Sequence, residues 1–295
     1  MTGSLWAAVA GVGFGTFQAV NRRAVGGITD AYLSTFLQLL VALAILVALT
    51  LGTRGFGVLE EATALGIAYF VIAGVVHFAA GWTFLNFSQM RIGAARSSPL
   101  FSTSPLWGVL VAGVWLHEVP DAVAWAGMFL VVAGALAVTV YRIGGERGPL
   151  SGRDALPGLA TALMWAISPV LVKEGLDGLP SPLVGVTIGM AAAVLLYAVA
   201  LAVRTGGESV RALSTEALSL KAAAGVLLGF SVWARWEALD FTTVAVVLSI
   251  GLLSVPTVLV LAPVIAGRHL EHVTLALWGG SALVVGGSLL LVLAD

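Results

Sequence analysis

The sequence predicts an all-α polytopic membrane protein of ten transmembrane helices, folded as two inverted five-helix repeats. Composition is the first reason: of 295 residues, 59% are hydrophobic and only 10% are charged. A soluble domain carries roughly 25% charged residues, and its helices are apolar along one stripe. Here whole stretches are apolar all round, which suits lipid as the solvent. Length is the second reason. A span needs about 20 mainly apolar residues to cross roughly 30 Å of hydrocarbon. Such runs are expected at 4–24, 31–51, 64–88, 94–115, 122–141, 155–174, 182–203, 217–238, 243–265 and 273–293. The third reason is that the two halves of the chain repeat one another.

Turn signals part the runs: Gly26-Gly27, the Gly52–Gly55 segment, Glu118-Val119-Pro120-Asp121, the Gly178–Pro182 segment and Gly206-Gly207. The loops are short, so successive helices pack antiparallel. The least apolar stretch, 142–154, divides the chain nearly in half and separates a first unit, 1–147, from a second, 148–295. At an offset of 151, Trp82 matches Trp233 and Pro105 matches Pro256. After a two-residue insertion, Glu118 matches Glu271, Trp125 matches Trp278 and Gly134 matches Gly287. Apolar sequences match by chance at Ala, Val and Leu, but not at Trp, Pro and Glu held in register. Five helices is an odd number, so the second copy is inverted relative to the first, as in secondary transporters.

Several functions are excluded by composition. There is no cysteine, hence no thiol catalysis, disulfide frame or Cys-ligated metal. A net charge of −1 offers no field for nucleic acid. No convergent acid, base and metal ligands suggest an enzyme, and no cofactor is implied. All fifteen carboxylates fall at helix ends or in loops, so weak coupling to ions is expected of a carrier. Met1-Thr2-Gly3-Ser4 brings no positive charge before the first run, which reads as a resident helix.

Lys and Arg favour the cytoplasmic side. The loops after odd-numbered helices hold eleven of them, and those after even-numbered helices hold Arg54, Lys173 and Arg235. Both termini are therefore expected outside the cytoplasm, in a multi-pass plasma-membrane protein.

These stretches resemble EamA-type carriers of the drug/metabolite transporter superfamily. The second half carries the pattern most fully, in Ala238-Leu239-Asp240-Phe241-Thr242, Pro256 and Glu271 ahead of the Gly-rich last run. The first half repeats it in Phe84-Leu85-Asn86-Phe87, Pro105 and Leu116-His117-Glu118. The resemblance implies a ten-helix carrier with a central cavity lined by the first, third and fourth helices of each repeat. It further implies transport of small solutes such as amino acids, sugars or nucleosides.

Within such a fold the candidate substrate-binding residues are Phe14, Gln18, Asn21, His77, Ser98, Ser102, Trp165, Ser168 and Ser249. Phe14, Gln18 and Asn21 share a helical face, i, i+4 and i+7. They read either as a polar stripe for a zwitterionic solute or as glue between helices. His77 stands in mid-span, where ionisable groups are functional candidates. It has no metal partner one turn on, since positions 80 and 81 are Ala and Gly. Pro105 and Pro256 are expected to kink their helices near mid-membrane and to free the carbonyls of Phe101 and Leu252. Trp82 and Trp233 read as interfacial anchors or as gates, and Arg235 with Glu237 as a solvated pair near a helix end. Glu118 and Glu271 read as offsets to helix dipoles. The glycines of runs five and ten read as packing or a dimer face, in a monomer or weak homodimer. Gln18 has no polar counterpart in the second half, where Pro169 stands; this argues against a channel built of repeated rings. Taken together, the expectation is a carrier that exports or exchanges small neutral or zwitterionic metabolites, amino acids first.

Overall fold

A computed structural model of the chain describes residues 1–25, 30–53, 55–92, 100–142, 152–204, 213–265 and 275–294. Ser98, Glu271 and most of the loop at 142–154 lie outside these residues. The described residues are helical, with no strand. The helices are α1 (Thr2–Val25), α2 (Ala31–Gly52), α3 (Ala64–Gly74), α4 (Trp82–Ile92), α5 (Ser104–Trp115), α6 (Ala122–Arg142), α7 (Gly152–Gly178), α8 (Pro182–Val203), α9 (Thr215–Phe241), α10 (Val244–Ile250), α11 (Ser254–Ile265) and α12 (Leu275–Ala294). A π-helical segment, Val75–Gly81, joins α3 to α4, and a 3₁₀ turn, Gly251–Leu253, joins α10 to α11.

Among the described residues, seven runs are long and apolar enough to cross a membrane: Thr2–Asn21, Ala31–Gly52, Ala64–Ser88, Gly152–Gly178, Pro182–Val203, Thr215–Phe241 and Val244–Leu261. Three of the ten expected spans are shorter apolar helices over the described residues, at Ser104–Trp115, Ala122–Ala137 and Trp278–Leu293. Outward-facing apolar side chains such as Val114, Leu195 and Leu293, 82%, 64% and 82% exposed, need lipid around them.

Polar residues start the helices. Asp30 accepts from the amides of Tyr32 and Leu33, Thr63 from Gly66, Ser181 from Val184, Ser214 from Ala217 and Thr243 from Val246. Each cap satisfies an amide that has no intrahelical acceptor. At Asp30 burial draws the carboxyl's pKa up. The Leu33 and Tyr32 amides and the Arg204 guanidinium, 3.0 Å away, outweigh burial and hold it below the usual carboxylate range.

Glycines set how closely the helices approach. A Cβ on Gly74 of α3 would fall on the backbone of Gly189 in α8. A Cβ on Gly225 of α9 would meet Val41 and the carbonyl of Gln38 in α2. Gly127 of α6 faces Gly287 of α12, and Gly134 faces Gly280. These glycines thus pack helix on helix within the chain; a dimer face is not what Gly127 and Gly134 present. Gly279 and Gly286 have open space beside them.

Each proline follows directly on an interruption of its helical run. Pro105 is in the first turn of α5, and Pro256 is in the first turn of α11. A first-turn proline lacks an amide that would have had no partner there, so it starts a helix without kinking one. The irregularity lies just before each proline, at Ser102–Thr103 and at the 3₁₀ turn.

Candidate functional site

A cavity of about 270 Å³ lies inside the bundle. α1 contributes Phe14, Phe17, Gln18 and Asn21; α2 contributes Ala31, Ser34, Thr35 and Gln38. The π segment and α4 contribute His77, Trp82, Leu85 and Asn86. Phe101 and Ser104 come from either side of the break before Pro105, and Gly251, Leu252 and Ser254 from the 3₁₀ turn and the start of α11. Trp165 of α7, Arg235 of α9 and Leu248 of α10 complete the wall. The two interrupted helices therefore place their breaks at the cavity, where irregular backbone is tolerated in a membrane.

The π segment is held by α7. The Trp165 indole N–H donates to the His77 carbonyl at 3.3 Å, and the Thr161 hydroxyl donates to the Gly81 carbonyl at 3.4 Å. A Cβ on Gly81 would strike the Trp165 indole nitrogen at 2.7 Å, so only glycine lets that ring in. The Trp165 ring then stacks on the His77 ring, centroids 5.9 Å apart, and Phe101 meets Trp165 edge-on at 5.5 Å. Behind the wall, His77 Nδ1 lies 2.7 Å from the Ser168 hydroxyl, and the pair fixes the imidazole's orientation. π segments often mark functional sites, because they re-aim side chains and loosen the carbonyl ladder.

Of the residues expected from sequence, Phe14, Gln18, Asn21, His77, Trp82 and Trp165 line the cavity. Ser168 supports His77 from behind. Ser102 and Ser249 are fully buried, do not line the cavity, and have hydroxyls without a hydrogen-bond partner among the described residues. Ser102 lies in the break before α5, and Ser249 near the end of α10. Trp82 and Trp233, alike in sequence, differ in place: Trp82 packs on Phe17 in the cavity wall, at 5.9 Å. Trp233 stands away from the cavity, 5.7 Å from Trp6, and donates to Glu237.

Two cations were misplaced by sequence reasoning. Arg235 does not pair with Glu237. Its guanidinium is 6.0 Å above the Phe14 ring, in the cavity wall. Lys221, counted as a loop charge, is only 2% exposed within α9. Its ammonium donates to Asn21 at 2.5 Å and to Gln38 at 3.3 Å, two amides that themselves line the cavity. Helical period could have found Arg235: with α9 running to Phe241, it lies two turns inside the helix end.

The two ends of the cavity differ. Along α1 it runs from Phe14 to Asn21, and along α2 from Gln38 to Ala31, so it extends toward the end of α1 and the start of α2. Toward the other end stands the Trp6–Trp233 pair, and beyond it a polar clasp. Lys173 of α7 donates to Glu118 at 2.7 Å and to the Thr242 carbonyl at 2.9 Å. The second Glu118 oxygen accepts the Val244 amide at the start of α10, at 2.9 Å. Glu118 is thus a clasp between α7 and α10 and not merely an offset to the α6 dipole. His117, at φ 57°, turns the chain after α5 so that Glu118 reaches them.

The profile of the EamA-like transporter family matches residues 1–140. No curated protein sequence matches the chain. A solved structure described as "Crystal structure of protein" shares the fold, with a TM-score of 0.78 at 19% identity, over 99% of this chain and 96% of that one. The chain is an integral membrane protein of that fold, and its residues 1–140 are similar to the EamA-like transporters.

Proposed function

We infer that the protein is a multi-pass carrier that exports or exchanges small metabolites, amino acids first among them, by alternating access around this cavity. The observation that carries the reading is a cavity walled by both halves of the chain, with a clasp beyond one end. Its volume is near the lower bound of ligand pockets, about 300–1,000 Å³, and suits a solute of amino-acid size. Phe14, Phe17, Trp82, Phe101 and Trp165 offer apolar surface; Gln18, Asn21, Gln38 and Asn86 offer amides.

Two inverted five-helix repeats, 1–147 and 148–295, are the architecture we assign to it. Reciprocal contacts support this. Gly74 meets Gly189 and Gly225 meets Gln38, and the offset of 151 exchanges these two pairs. Gly127 meets Gly287 and Gly134 meets Gly280, pairs exchanged by the offset of 153. A rocking motion of one repeat against the other would carry the fixed site from side to side.

The test is counterflow. Purified protein in liposomes loaded with an unlabelled amino acid should draw in that amino acid, labelled, faster than protein-free liposomes do. A panel covering aromatic, aliphatic, polar and charged amino acids that showed no stimulated uptake would overturn the amino-acid assignment. Sugars and nucleosides in the same assay separate the broader carrier reading from it.

A further inference from the structure

Arg235 has no partner that accounts for its place. It sits in the wall of a membrane-embedded cavity, and among the described residues no carboxylate or hydrogen-bond acceptor comes within reach of its guanidinium. Its guanidinium lies over the Phe14 ring, 6.0 Å from the centroid. Glu237, two residues on, accepts from Trp233. Asp240 is exposed at the far end of α9. A cation taken out of water without a counter-charge destabilises a fold by several kcal/mol. Arginine tolerates such sites better than lysine, because its charge is spread over a plane that an aromatic face can cover. The other buried cation of α9, Lys221, already donates to Asn21 and Gln38.

We propose that Arg235 is the anion-binding residue of the cavity and that the solute carries a carboxylate, held in the plane of the guanidinium, with an apolar body against Phe14 and Trp165. This rests on the carrier reading for its biological meaning but not for its test. A fork of parallel N–H donors matches a carboxylate's two oxygens, and desolvation inside the wall strengthens the pair. One guanidinium, in a cavity of about 270 Å³ with five aromatic walls, fits a single negative charge on a compact apolar molecule. Among the described residues no carboxylate lines the cavity, so a solute's ammonium group would find neutral amides, hydroxyls and ring faces there. The carboxylate is therefore the recognised group, and the ammonium is dispensable.

Binding to the protein purified in detergent tests this, read by tryptophan fluorescence and by calorimetry. The probes share one aromatic body: L-phenylalanine, 3-phenylpropionate, phenethylamine and phenyl phosphate. Both carboxylates are expected to bind at least about tenfold more tightly than phenethylamine, the weight of one charge-assisted hydrogen bond. Arg235→Gln should weaken both carboxylates about ten- to hundred-fold and leave phenethylamine unchanged. Arg235→Lys should recover part of the loss. Phenethylamine binding as well as 3-phenylpropionate would overturn the proposal, as would carboxylate affinity unmoved by Arg235→Gln. Failure of both carboxylates to bind at millimolar concentration would also overturn it, and tighter binding of phenyl phosphate would overturn the carboxylate assignment. If Arg235→Gln does not fold, the wild-type comparison of the four probes still decides. Carboxylate binding without counterflow would sink the carrier reading alone; counterflow without carboxylate preference would sink this one alone.

Discussion

Valine in place of Gly74 is expected to leave almost no folded protein. Gly74 ends α3 directly before the π segment, and its missing side chain lets α3 lie against Gly189 of α8, backbone to backbone. A Cβ there meets main-chain atoms, which cannot rotate aside as a side-chain tip can. Relief requires the two helices to part, and that strips Phe70 and Phe78 from Trp236, on which both stack within 6.2 Å. Overpacking a core costs about 1–3 kcal/mol when side chains can yield, and the cost here should exceed that range. Gly225→Val, whose nearest neighbour is the Val41 side chain, should be milder. Gly279→Ala, with open space around it, should be neutral or slightly stabilising, since alanine is the better helix former. Yield of monodisperse protein and its thermal midpoint check the series. A Gly74→Val protein melting like the Gly279→Ala protein would show that the two backbones are not in contact.

Lys173→Met is expected to open the clasped end. Lys173 and Glu118 are 25% and 13% exposed, between the free surface, where such a pair contributes about 0–1 kcal/mol, and the full interior, where losing one partner costs about 3–5. A loss of about 1–3 kcal/mol from the clasped state alone would move the balance between states roughly 5- to 150-fold. With no native cysteine in the chain, the shift can be read at a single Phe14→Cys in the cavity wall. A thiol reagent applied from the side of the N-terminus should label it slowly in the parent and at least about fivefold faster with Lys173→Met. Glu118→Gln should act alike, and the double variant should add little, because both remove the same bond. Strict additivity of the two variants would contradict the clasp.

The helices were legible because burial in lipid leaves long apolar runs, parted by turn signals such as the Gly178–Pro182 segment; the caps at Asp30, Thr63, Ser214 and Thr243 emerged only from the structure. Phe14, Gln18 and Asn21 were legible as one helical face from spacing alone, which left open whether it met a solute or another helix. The interruptions were not. Val-Val-His-Phe-Ala-Ala-Gly reads as ordinary helix, and its π geometry depends on Trp165 and Thr161 of α7 holding its carbonyls. Ser102 and Ser249 show the limit of composition: a hydroxyl in the right helix says nothing of which side it faces. Arg235 was misjudged because its charge suggested a helix end, and the end of α9 is six residues further on, at Phe241. Nor could sequence show that Glu118 crosses to Lys173 and Val244, a contact made only by the packed halves.

Blocking the cavity tests most directly whether it is the route. Ser34 is buried, lines the cavity and differs from cysteine by one atom. Ser34→Cys should transport normally in liposomes until a bulky thiol reagent is attached, and then lose nearly all counterflow. Saturating solute should slow the attachment. The same reagent on Leu195→Cys, which is 64% exposed on the outside of α8, should change nothing. Full modification of Ser34→Cys, verified by mass spectrometry, with counterflow intact would contradict the account, since solute would then be crossing by some path other than this cavity.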